Sequence, residues 1–140
     1  MQIRPADGAA MARAKERWDS IAKPLGSLGL LEDAVMRIAG LTGDERVSVK
    51  KRGVIVMCAD NGVIAQGVSQ SGSDVTRIVS ENIANGTASV CRMSAAVGAD
   101  VFAVDIGMEQ ESAEPRLIRR PVRRGTRDMT LGPAMTREEA

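Results

Sequence analysis

Two stretches of this sequence end alike. Cys58-Ala59-Asp60-Asn61-Gly62 and Ala103-Val104-Asp105-Ile106-Gly107 each close an apolar run with a carboxylate, one intervening residue and a glycine. In an open parallel sheet, ligands bind outside the carboxyl ends of the strands, so both aspartates are candidates for a ligand-facing edge. The same two residues serve equally well as caps of their own loops, and both readings stand at this point. A second concentration of chemistry lies between Arg116 and Arg127, where Arg116, Arg119, Arg120, Arg123, Arg124 and Arg127 occur with no acidic residue among them. Arginine forks suit phosphate. Glu109, Glu111 and Glu114 just upstream are available as partners, which favours a solvated edge or an interface.

Other chemistries are excluded by what the chain lacks. It has no histidine, which rules out Ser-His-Asp and Cys-His catalysis within these residues and any His-ligated metal site. Neither a GxxxxGK[ST] phosphate loop nor a GxGxxG fingerprint occurs. One Trp, one Phe and no Tyr leave no platform for stacking nucleic-acid bases, and a net charge of +1 gives no pull towards nucleic acid or a membrane surface. Eight methionines are available to fill core or pocket space instead. Cys58 and Cys91 match no metal-ligand spacing and read as two buried thiols of a reducing cytoplasm.

The elements that must position these residues follow from pattern. At 140 residues, 44% hydrophobic and 26% charged, the chain suits a globular core. Met1-Gln2-Ile3-Arg4-Pro5 has the apolar length of neither a signal peptide nor an anchor. Residues 7–22 predict a helix, interrupted by Lys23-Pro24-Leu25-Gly26-Ser27-Leu28-Gly29. Leu28, Leu31, Val35, Ile38 and Leu41 then recur on one face of a second helix, with Gly40 and Gly43 marking its end. Past Lys50-Lys51-Arg52, the apolar run 53–58 predicts a strand covered on both faces. Ser73 or Asp74 is placed to cap a helix carrying Val75, Ile78, Val79, Asn82 and Ile83. Asn85-Gly86 ends it, another helix is expected over 87–97, and a strand over 100–105 follows. A short edge strand is expected near Leu117-Ile118, and Thr136 with Glu139 forms a capping-box signature. The result is an α/β chain: a helical segment over 1–50, then part of a parallel sheet with flanking helices over 51–140.

Several of these stretches carry a family likeness. Residues 23–29 followed by Leu31-Glu32, and residues 56–63 with Gly67-Val68-Ser69, resemble the nicotinate-nucleotide:dimethylbenzimidazole phosphoribosyltransferases of cobalamin lower-ligand synthesis. Asp74-Val75-Thr76, Asn82, Gly86, residues 104–107, Gly125-Thr126 and residues 132–136 continue the match in order along nearly the whole chain. The resemblance implies a Rossmann-like sheet beside a small helical domain. It implies transfer of phosphoribosyl from nicotinate mononucleotide to 5,6-dimethylbenzimidazole or a related base, giving α-ribazole 5′-phosphate and nicotinate without metal or cofactor. It further implies a homodimer with small-molecule substrates, while composition and the thiols point to the cytoplasm with no nucleic acid or membrane partner.

For individual residues, the resemblance implies that the loop after the first strand, with Asp60, Asn61 and Gly62, contributes to the base pocket and that Ser71 lies near the base. Val79 falls where some members carry glutamine, and Asn61 where histidine is frequent. Family chains are more than twice this length, and the glutamate acting as general base, with the glycine-rich phosphate segments, is implied to lie beyond residue 140. Asp60, Asp105 and Glu81 are the tempting substitutes within the chain, and none is assigned that role. The alternative function is a non-catalytic base-binding or assembly module that pairs with a chain supplying the glutamate. Half a parallel sheet also exposes an apolar edge and face, which predicts self-association.

Overall fold

The computed structural model describes residues 4–140. Residues 1–3, the start of the stretch read as lacking a leader, lie outside the described residues. The chain divides into two compact units, Met1–Lys50 and Lys51–Ala140. Among the described residues, no helix is long and apolar enough to cross a membrane.

The first unit is a pair of helices, α1 (Gly8–Asp19) and α2 (Leu30–Thr42). Asp7 caps α1 by accepting from the amides of Ala9 and Ala10 at 2.9 and 3.0 Å. The helix stops three residues before the predicted end, where Ser20 turns its hydroxyl onto the Arg17 carbonyl. Pro24 disfavours helical backbone in the residue before it. Helix α2 ends as expected, on Gly43, whose φ of 73° is the left-handed conformation that glycine adopts without penalty. Gly40 has a different task from the predicted one. It lies inside α2, and a methyl there would come within 2.7 Å of the Met11 side chain, so its smallness sets how closely the helices approach. The face that packs against α1 carries Ala39 and Gly40 opposite Ala10 and Ala14, whereas Leu31 and Leu41 of the predicted stripe are exposed.

The second unit is built on three parallel strands in the order β1 (Arg52–Ala59), β2 (Ala99–Gly107), β3 (Ile118–Arg119). Helices α3 (Asp74–Ala84) and α4 (Ser89–Ala96) make the crossover from β1 to β2. Neither Ser73 nor Asp74 caps α3 through its side chain; Asp74 is instead the first helical residue, where its charge favours the helix N-terminus. The register pairs Val54 with Val101, Val56 with Ala103 and Cys58 with Asp105. Of these, Cys58 and Ala103 join Ile83, Met108 and Leu117 in the core, with Val56, Val101, Val90 and Cys91 packed around them. Met108 is wholly buried, and its unbranched thioether fills the core of a unit poor in aromatic rings. Cys58 is buried and Cys91 half-buried, both as free thiols.

The other face of the sheet contradicts the reading of strands covered on both sides. Ile55, Met57 and Phe102 are 62%, 66% and 45% exposed. The continuous apolar run of β1 therefore records a face left exposed within these residues.

Candidate functional site

The chemistry-bearing residues gather at the carboxyl ends of β1 and β2, where a returning segment crosses the sheet edge. After β3 the chain comes back as a strap, residues 123–128, tied by backbone hydrogen bonds from Gly125 to the Gly107 carbonyl and from Thr126 to the Asp60 carbonyl, both 3.0 Å. Both Asp-x-Gly sequences pass beneath it. A methyl on Gly62 would come within 2.4 Å of the Thr126 carbonyl oxygen, and one on Gly107 within 2.8 Å of that of Arg123. The shared ending that drew attention in the sequence is thus a packing device, because only glycine leaves room for the strap.

The two aspartates serve the same junction. Asp105 is buried, and its Oδ1 accepts from the amides of Gly107 and Met108 at 2.9 and 2.8 Å. Asp60, 6% exposed, accepts from the Glu109 amide through Oδ2 at 2.8 Å. Charge-assisted bonds of this kind pin the turns after both strands. Burial, followed by the charge of Asp105, pushes the Cys58 thiol above its ordinary pKa and keeps it protonated. Glu81 is also engaged: it accepts from Ser112 Oγ at 2.8 Å and from Arg77 Nη1 at 3.0 Å, and these bonds hold it below the usual carboxylate range.

Two cavities flank the junction. The first, about 330 Å³, opens between the end of β1 and the first turns of α3. Met57, Ile64, Val75 and Val79 give it apolar walls, while Ser69, Ser71 and Thr76 bring hydroxyls. A volume of this order with few polar groups suits a small flat ligand. The second, about 360 Å³, lies under the strap, with Ile106, Val122 and Met135 for walls and Asp60, Arg120, Arg123 and Glu139 at its margins. Arg123 Nη1 stands 3.5 Å from Glu139 Oε1, and Glu139 is clasped more closely by Arg127 at 2.9 and 3.1 Å.

Among the residues singled out from the sequence, Ser71 and Val79 share the first cavity. Asp60 lies at the margin of the second. Asn61 is exposed and lines neither cavity, and Gly62 is the point where the strap crosses. The arginine cluster is largely neutralised within the unit. Arg116 pairs with Glu114, Arg124 with Glu111, and Arg123 and Arg127 with Glu139, while Arg119 donates to the Ser112 carbonyl. Arg120, which donates to the Arg119 carbonyl, and Arg123 stand at the margin of the second cavity. Sequence reading missed Ile64, Thr76 and the strap residues Thr126 and Asp128. Their only signals were Asp74-Val75-Thr76 and Gly125-Thr126, short matches that assigned no role to either threonine. In the first unit it likewise missed that Lys23 and Glu32, on either side of the helix break, meet at 2.9 Å and close that turn.

The parallel sheet with its flanking helices defines an α/β protein with a cavity at the strand ends, and comparison with known proteins gives its family. A family model described as phosphoribosyltransferase matches residues 3–140, and the chain belongs to that family. It is 43% identical over 130 residues to the nicotinate-nucleotide–dimethylbenzimidazole phosphoribosyltransferase of Acetivibrio thermocellus, covering 93% of this chain and 37% of that protein. It is 42% identical over 135 residues to the protein of the same name in Escherichia coli strain SMS-3-5, covering 96% and 38%. A solved structure of the Thermus thermophilus protein of that name superposes with a TM-score of 0.70 at 37% identity, covering 95% of this chain and 41% of that one. The chain therefore spans well under half the length of the relatives it matches.

Proposed function

We propose that this chain supplies the base-binding side of an enzyme that transfers phosphoribosyl from nicotinate mononucleotide to 5,6-dimethylbenzimidazole, giving α-ribazole 5′-phosphate and nicotinate for the lower ligand of cobalamin. The observation that carries the reading is the first cavity, which sits at the carboxyl end of β1 with apolar walls and has Ser71 and Val79 on its lining. Apolar walls accept the dimethyl edge of the base, and a serine hydroxyl is suited to hydrogen-bond an azole nitrogen. Asp60, Asn61 and Gly62 form the root of the loop that carries Ile64 into this wall, so their part in base binding is to orient it.

Deprotonating the azole as its other nitrogen attacks the anomeric carbon needs a carboxylate within hydrogen-bond reach. Asp105 and Glu81 line neither cavity and are held by amides or by Ser112 and Arg77, and the Asp60 carboxylate is engaged by the Glu109 amide, away from the first cavity. By the resemblance to the family, the general base is taken to be a glutamate outside these residues. We place residues 1–50 in the small helical domain and 51–140 in the first half of a Rossmann-like transferase domain of a cytoplasmic homodimer. The exposed Ile55 and Phe102 favour a second reading, a non-catalytic base-binding or assembly module that pairs with a chain carrying the glutamate. A product assay with nicotinate mononucleotide and dimethylbenzimidazole separates the two, comparing this chain with one extended to the relatives' length. Product from the longer chain alone supports the transferase reading. Product from the 140 residues alone removes the assignment of the base, and none from either favours the module.

A further inference from the structure

We infer that Thr126 is a positioning residue for the first cavity, the working part of a latch that fixes the wall residue Ile64 from the far side of the sheet edge; this rests on the reading of that cavity as the base site. After β1 the chain makes a single 3-10 turn, Gly62–Gln66, and Ile64 at its centre lines the cavity. Both ends of the turn are held by the strap. The Gly62 amide donates to Thr126 Oγ1 at 3.0 Å, and Gln66 Nε2 donates to Asp128 Oδ2 at 2.6 Å. Thr126 adds a third tie, its own amide donating to the Asp60 carbonyl at 3.0 Å, so that it brackets Asn61 on both sides.

The threonine hydroxyl is used in both directions. It accepts from Gly62 and donates to the Arg127 carbonyl at 3.0 Å, which fixes its rotor. Asp128 is fixed in turn, because its Oδ1 accepts from the amide and hydroxyl of Thr130 at 2.9 and 2.8 Å. On the other side of Ile64, residues 67–73 have no regular structure, and the ties among the described residues are local, from Gly67 to the Ile64 carbonyl, from Ser71 to Ser69 and from Val75 to Gly72. The strap is therefore what sets the depth at which Ile64 stands. Thr126 lines the second cavity and not the first, so it acts on the first through the turn.

The test uses Thr126→Val, which keeps the shape and removes the hydroxyl, and Thr126→Ser, which keeps the hydroxyl. Amide hydrogen exchange and titration with 5,6-dimethylbenzimidazole are read on each. Thr126→Val is expected to lose protection at Gly62 and Ile64 while Ser80 and Ala103 keep theirs, and to bind the base roughly tenfold more weakly, the worth of about one hydrogen bond. Thr126→Ser is expected to restore both. Parental affinity in Thr126→Val, unchanged exchange at Gly62, or equal loss in Thr126→Ser overturns the proposal. If the parent binds no base, the base reading fails by itself, and exchange at Gly62 and Ile64 still decides the latch. Should Thr126→Val not fold, Gln66→Ala cuts the other end of the same turn and is judged by the same measurements.

Discussion

Placing a single methyl on Gly62 tests whether the strap is a rigid part of the sheet edge. The added carbon would lie 2.4 Å from the Thr126 carbonyl oxygen, 2.7 Å from the Arg127 carbonyl carbon and 2.8 Å from the Asp128 amide nitrogen. All three are backbone atoms, so no side chain can swing clear and the strap must retreat by roughly half an ångström or more. Retreat stretches the bond from Gly62 to Thr126 Oγ1 and the one from Thr126 to the Asp60 carbonyl. Overpacking costs about 1–3 kcal/mol and each hydrogen bond about 0.5–1.5 kcal/mol, so Gly62→Ala should destabilise the second unit by about 2–6 kcal/mol. Against a whole stability of about 5–15 kcal/mol, that is a large shift of the urea midpoint. The comparison is Gly53→Ala at the start of β1, where the methyl meets only the exposed Phe102 ring at 3.2 Å and should change stability by less than about 0.5 kcal/mol. A Gly62→Ala protein within about 0.5 kcal/mol of the parent would mean that the strap yields rather than packs, and the close approach would lose its structural meaning.

Truncating Met108, the largest wholly buried side chain, to alanine should cost about 2–5 kcal/mol in the same urea titration, and a change under about 1 kcal/mol would mean that the core collapses around the gap. The pH dependence follows from Glu32, lowered first by its bond to Lys23, and Glu81, lowered first by Ser112. A carboxylate lowered in the folded state contributes stability above its unfolded pKa and loses it as pH falls through the folded one, so both units should hold steady from neutrality to about pH 5 and weaken below 4.5. Glu32→Gln and Glu81→Gln should each flatten that decline in their own unit, and loss of stability already above about pH 5 would contradict the assignment. Val79→Gln brings an amide to the rim of the first cavity and should raise the affinity for 5-hydroxybenzimidazole relative to dimethylbenzimidazole by roughly three- to tenfold, the worth of one partly exposed hydrogen bond. An unchanged ratio between the two bases, read by calorimetry, would remove Val79 from the site.

The fold was legible where local pattern and tertiary role coincide. The runs at 53–58 and 100–105 have the apolar character of buried parallel strands, and α3, α4 and Gly43 follow from period and turn chemistry. Reading failed where an apolar pattern has no partner among these residues, as on the outer face of β1 and the leucines of α2, because pattern reports what a residue can bury and not what is present to cover it. It failed again at Gly40, whose role depends on Met11, a full helix earlier in the chain. Part of the site was legible: Ser71 and Val79 came from resemblance and lie in one cavity. The strap was not, because Thr126 and Asp128 act on residues far earlier in the chain through single hydrogen bonds that leave no periodic trace.

Everything said of base binding depends on what occupies the first cavity, and titrating methyl-labelled protein with 5,6-dimethylbenzimidazole reads that occupant residue by residue. Saturable shifts are predicted at Ile64, Val75 and Val79, with Met57 following. Shifts confined to Ile106 and Val122 beneath the strap, or none at all up to the solubility of the base, would contradict the assignment of this cavity to the base.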